Sequence, residues 1–178
     1  MLRAHAMPAY PGATLDELKH FFEEARVVAA LAEDQEQVDK ILDLRDAGTS
    51  VASIVYDEVR GLNLYDAPGL QSWENLLEAG AKKLSADPDL RLRLIEGSKP
   101  EDPAVFMHSS GTTGKPKGIV LSQKNVLSGA RNAYAGGAFD YGEDILGYLP
   151  LAWVGDFALT VAAAIAFRFT VNVPERQE

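Results

Sequence analysis

The chain has no cysteine in its 178 residues. That excludes a disulfide framework and a thiolate metal site, and it suits a reducing compartment. Histidine is scarce: His5, His20 and His108 are scattered and make no metal-ligand spacing. A basic excess is missing too. With a net charge of −9, no basic excess offsets the repulsion of phosphodiesters, which argues against nucleic acid as a partner. There is also no long apolar run. The longest, Phe157 to Phe167, falls short of the roughly 20 residues a bilayer-spanning helix needs, so it is expected as a helix packed inside a domain. Met1-Leu2-Arg3-Ala4-His5-Ala6 leads into Pro8 and Pro11 without the apolar core of a secretory leader. A soluble protein is the expectation.

What the chain does have is alternation. Thr14-Leu15-Asp16-Glu17 is a capping-box pattern, and Leu15, Leu18 and Phe22 follow at helical spacing. Ala25 to Leu31 reads as a short buried strand. Asp34 starts a second helix, with Val38, Ile41, Leu42 and Arg45 on successive turns and Gly48 ending it. Ser53-Ile54-Val55-Tyr56 is the next strand, and 57–70 is a loop. Helix, strand, helix, strand is the mark of an α/β sheet with parallel strands. Ser72 then opens a helix expected to bury Leu76 and Leu77, with Trp73 as its packed anchor. The stretch 87–102, with Pro88, Gly97 and Pro100, reads as an irregular connection whose Arg91 and Arg93 lie along a solvated edge.

A different kind of segment follows. Ala104-Val105-Phe106-Met107 is an apolar run that predicts a buried strand. It breaks into Ser109-Ser110-Gly111-Thr112-Thr113-Gly114-Lys115-Pro116-Lys117-Gly118. Glycines here allow successive N–H groups to converge into an anion-binding nest. The four hydroxyls and two lysines add donors and charge. A Walker loop is excluded by spacing: Gly111 and Gly114 are too close, and Pro116 after Lys115 blocks an immediate helix. The chain should leave extended through Gly118-Ile119-Val120-Leu121, as in a hairpin. The bland alternative, a flexible linker, fits poorly with apolar strand-like runs on both sides.

Downstream, Ser122 is the expected N-cap of a helix to about Ala135, ended by Gly136-Gly137. Asp144 to Leu149 reads as a strand stopped by Pro150, then come the helix Phe157 to Phe167 and a last strand at Thr170 to Val173. No repeat or low-complexity tract divides the chain, so 1–178 is read as one incomplete α/β domain. Met1 starts in a loop and Glu178 follows a strand, so a piece of a larger protein is expected.

Ser109 to Gly118 resembles the phosphate-binding signature of the adenylate-forming (AMP-binding) superfamily, roughly [ST]-S-G-[ST]-T-G-x-P-K-G. Tyr148-Leu149-Pro150-Leu151-Ala152-Trp153-Val154-Gly155-Asp156 is similar to the Leu-Pro-Leu segment on the acyl side of the site in long-chain acyl-CoA synthetases, as is the stretch 27–46. The resemblance implies a partial βαβ-type sheet with flanking helices, part of an acetyl-CoA synthetase-like N-terminal domain. It implies a fatty acid–CoA ligase: ATP and Mg²⁺ activate the acid as an acyl-adenylate, and CoA then takes the acyl group. Ser109, Ser110, Gly111, Thr112, Thr113 and Gly114 would bind the nucleotide phosphates within the loop 108–118. Lys117 would steady the loop or the departing pyrophosphate, and Lys115 falls at a variable position. His108 reads as a hydrogen-bonded strand-end histidine. Trp153 divides evenly between lining an acyl tunnel and packing in a core. Asp156 is read as a helix cap or dipole partner with no chemistry.

No metal ligand set and no complete catalytic set is expected in the piece itself. The parent's partners would be fatty acid, ATP and CoA, in the cytoplasm or peripheral to the inner membrane. A ligase for another carboxylic acid, and a non-catalytic nucleotide- or phosphate-binding module, are the competing readings.

Overall fold

A computed structural model describes residues 4–109 and 116–174. They fall into two compact units, Pro11–Glu96 and Met1–Tyr10 with Gly97–Glu178.

In the unit Pro11–Glu96, Thr14 and Glu17 form the capping box that starts α1 (Leu15–Ala25). Leu18, Phe22 and Ala25 make its buried stripe, while Leu15, expected on it, is exposed. Arg26, in the left-handed region at φ 51°, ends the helix, and the Val27 N–H donates to the Phe22 carbonyl. The strand expected at Ala25 to Leu31 therefore starts only at β1 (Ala29–Ala32). Nor is it buried: Val28 and Leu31 are 64% and 72% exposed. β1 is an edge strand whose side chains alternate across the sheet, and only Ala32 is enclosed.

Asp34 caps α2 (Gln35–Asp46), whose Val38, Ile41 and Leu44 fill the core; Gly48 at φ 88° lets the chain turn back. β2 (Ser53–Tyr56) lies where the sequence puts it, parallel to β1 from Ala29↔Ser53 to Ala32↔Tyr56. Its Ile54 is fully buried. A third parallel strand, β3 (Leu70–Ser72), is added at Ile54↔Leu70. Three residues give no readable period, so this strand is invisible in the sequence.

Ser72 ends β3 and caps α3 (Trp73–Ala86) by accepting from the Asn75 N–H. No residue of α3 is buried: Leu77 and Trp73 are exposed and Leu76 is only half-buried, against the expected packing. The apolar stripe is present, but within this unit the sheet covers too little of it. The expected irregular connection is in part a helix, α4 (Leu90–Glu96). Pro88 marks its start, and the Arg93 guanidinium grips both Asp87 carboxylate oxygens. Arg91 and Arg93 thus sit on a helix and not on a sheet edge.

In the other unit, β4 (Pro103–Ser109) and β5 (Lys117–Ser122) pair antiparallel. Val105, Phe106 and Met107 are buried as expected. The chain near Ala6, read as loop, adds a parallel bridge to Val105, with the Phe106 N–H donating to the Ala6 carbonyl at 2.8 Å. Ser122 and Asn125 form a capping box that starts α5 (Gln123–Ala135), and Gly137 at φ 73° follows its end. β6 (Asp144–Leu146) pairs parallel with β7 (Thr170–Asn172). Between them run α6 (Val154–Asp156), a π-helix (Phe157–Ala163) and α7 (Ala164–Phe167). The expected helix is there, with a widened middle.

Ala130, Phe139, Ala162, Ala163 and Phe167 form the core, with Tyr134 stacked on Phe167 at 4.6 Å. β6 ends three residues before the expected Leu149. A Cβ at Gly147 would sit 3.0 Å from the Thr160 methyl and 3.3 Å from Val171 Cγ1. A side chain there would make the neighbours give by a few tenths of an ångström.

Candidate functional site: the mouth of the hairpin

The buried run Val105–Met107 anchors β4, and pairing with β5 brings its end to a fixed place. Phe106 lies opposite Val120, His108 opposite Gly118, and Ser109 opposite Lys117. The Ser109 hydroxyl donates to the Lys117 carbonyl at 3.4 Å. Residues 110–116 therefore join two paired strand ends, as the sequence reading expects. The structure brings Ser109 and Lys117 together at the mouth. Ser110, Gly111, Thr112, Thr113 and Gly114, together with Lys115, lie outside the described residues.

Lys117 is exposed, and among the described residues no carboxylate pairs with it. A cation and a hydroxyl side by side at two paired strand ends suit an anionic group. That chemistry fits a nucleotide's phosphates. The His108 ring lies 5.2 Å from the Phe106 ring, at the edge of the buried run.

Trp153 belongs to the same unit, on the loop between β6 and α6. Trp153 is 52% exposed among the described residues. The Trp153 backbone N–H donates to the Pro150 carbonyl at 2.9 Å, and the Trp153 carbonyl accepts from the Phe157 N–H at 3.1 Å. No hydrogen bond or ring contact joins it to the hairpin mouth among the described residues.

Asp156 lies in the first turn of α6, where the dipole-partner reading put it. It is 5% exposed, makes no side-chain cap bond, and its Oδ2 accepts from the Thr160 hydroxyl at 2.9 Å. The i, i+4 spacing of Asp156 and Thr160 carried that signal, and the sequence reading passed over it.

The unit Pro11–Glu96 has a concavity of about 350 Å³ at the carboxyl ends of β1 and β2, lined by Leu31, Val55, Tyr56 and Trp73, among others. Trp73, 40% exposed, faces this opening. No group of three or more His, Asp or Glu among the described residues is placed to hold a metal ion. No helix among them is long and apolar enough to cross a membrane.

Comparison with known proteins relates the chain to one family. The profile of the AMP-binding enzymes matches residues 1–178. The chain is 29% identical over 163 residues to the long-chain-fatty-acid–CoA ligase FadD15 of Mycobacterium tuberculosis, covering 90% of this chain and 25% of that protein. It is 30% identical over 138 residues to the long-chain-fatty-acid–CoA ligase ACSBG2 of Xenopus laevis, covering 74% of this chain and 17% of that one. The chain thus spans a quarter or less of these relatives.

Among solved structures, the anthranilate CoA ligase AuaEII in complex with anthranoyl-AMP superposes with a TM-score of 0.69 at 17% identity, covering 97% of this chain and 31% of that one. ATP-bound MatB from Rhodopseudomonas palustris gives 0.61 at 17% identity, covering 97% and 31%. These likenesses establish the fold, a mixed α/β architecture. With a profile match along its whole length, the chain belongs to the AMP-binding enzyme family.

Proposed function

We propose that this chain is the phosphate-loop part of an AMP-forming, long-chain fatty acid–CoA ligase, and that its two units together make one incomplete α/β adenylation domain. The observation that carries the reading is the antiparallel pairing that sets Ser109 opposite Lys117, at the two ends of a stretch rich in glycine and hydroxyl residues. The fatty-acid relatives support the substrate class.

A carboxylate attacking an α-phosphate brings negative charge onto negative charge, so the triphosphate needs fixed donors. Ser109, Ser110, Thr112 and Thr113, with the amides of Gly111 and Gly114, would hold the β- and γ-phosphates of ATP. Lys117 would offset charge as pyrophosphate departs. Mg²⁺ would neutralise the phosphate oxygens, and CoA would supply the thiol that receives the acyl group. Trp153, exposed on its loop, would line the acyl side.

The test is pyrophosphate release with palmitate, ATP, Mg²⁺ and CoA, measured on the longest reading frame that carries this sequence. Turnover should need all four, and Lys117→Ala should lower kcat about 100-fold or more. Turnover with benzoate but not palmitate would remove the fatty-acid assignment. The 178-residue chain alone should release no pyrophosphate, because Ser109 and Lys117 hold phosphates without a complete catalytic set.

A further inference from the structure

We propose that Thr160 is a positioning residue which pins the loop 147–153, and with it the Trp153 indole, from both ends. A half-exposed indole is not held in place by burial, so its position depends on how its loop is anchored. Both anchors meet at one side chain.

On one side, the Thr160 hydroxyl lies 2.8 Å from the Asp156 carbonyl oxygen and 2.9 Å from Asp156 Oδ2. It is a shared donor that occupies a carbonyl in the widened turn of the π-helix. Asp156 is buried and adjoins Phe157, whose N–H donates to the Trp153 carbonyl. On the other side, the Thr160 methyl packs where a Cβ at Gly147 would stand only 3.0 Å away. Gly147 in turn donates to the Asn172 carbonyl at 2.9 Å. The hydroxyl therefore secures the Trp153 end and the methyl secures the Gly147 end. What the placed indole faces rests on the acyl-side reading above; the latch itself does not.

The two contacts can be removed separately in the 178-residue chain and read by amide hydrogen exchange. Thr160→Val keeps the methyl and loses the hydroxyl. The Trp153 amide should then exchange about fivefold faster, with Gly147 and the β4 amide of Phe106 unchanged. Thr160→Ser does the reverse, speeding Gly147 and leaving Trp153 as it was. In a Trp73→Phe background, the fluorescence anisotropy of Trp153 should fall in Thr160→Val and hold in Thr160→Ser. Wild-type exchange at Trp153 in Thr160→Val, or a rise at Trp153, Gly147 and Phe106 together, would overturn the proposal. If one variant does not fold, the other decides at its own amide. Unchanged palmitate turnover by Thr160→Val in the longer protein, with the faster Trp153 exchange present, would sink the acyl reading and leave the latch standing.

Discussion

Single residues carry the clearest energetic statements. Ile54 is fully buried in β2, so Ile54→Ala should cost about 2–5 kcal/mol in urea unfolding. Unchanged stability would mean that the strand is not core. Acid behaviour is also set residue by residue. The Thr14 N–H and hydroxyl hold the Glu17 carboxyl below the usual carboxylate range. Backbone bonding at Arg60 lowers Glu58, and the Arg93 guanidinium lowers Asp87. In each case the unfolded chain binds the proton more readily than the folded one. The stabilisation is therefore whole above the unfolded value, about 4 for these groups, and is lost as pH falls through the folded one. Urea midpoints should drop between neutral and acid pH, and Glu17→Gln should flatten that slope. A Glu17→Gln slope equal to wild type would contradict the assignment.

At the scale of elements, caps and turns decide where segments begin. Ser122 closes the hairpin and caps α5, so Ser122→Ala should cost about 1 kcal/mol, read as a lower melting temperature. Gly69 has φ 77°, and a Cβ there would stand 2.1 Å from the Ala52 carbonyl oxygen, against the strand start. Gly69→Ala should cost at least about 1–3 kcal/mol from backbone strain alone and loosen the β2–β3 pairing. Wild-type exchange at Ile54, whose N–H donates to the Gly69 carbonyl, would count against it. These are the features a sequence shows well. Thr14, Asp34, Ser72 and Ser122 are all legible as helix starts because a side chain three residues from its partner N–H is a local matter. β3 and α4 are not legible. The first is three residues whose strand character comes from β2, and the second alternates Arg and Leu, which mimics a strand period.

At the scale of the whole molecule, the chain spans a quarter of the FadD15 ligase it resembles. Isolated, it should bind ATP–Mg²⁺ weakly or not at all in calorimetry. Tight binding would favour a nucleotide-sensing module over part of a ligase. The helix faces that remain open, such as Trp73 and Leu77 on α3, belong to this scale too: the pattern shows an apolar stripe, but not what surrounds it.

The sequence by itself determined the phosphate-loop signature, the antiparallel return through Gly118 and the order of most helices and strands. These depend on neighbours along the chain: glycine freedom, proline's missing N–H, cap bonds and apolar periods. Only the tertiary structure decided that Leu31, Trp73 and Trp153 are exposed, and that Asp156 is buried against Thr160. Burial is a property of what packs alongside from distant parts of the chain, and no local pattern contains it.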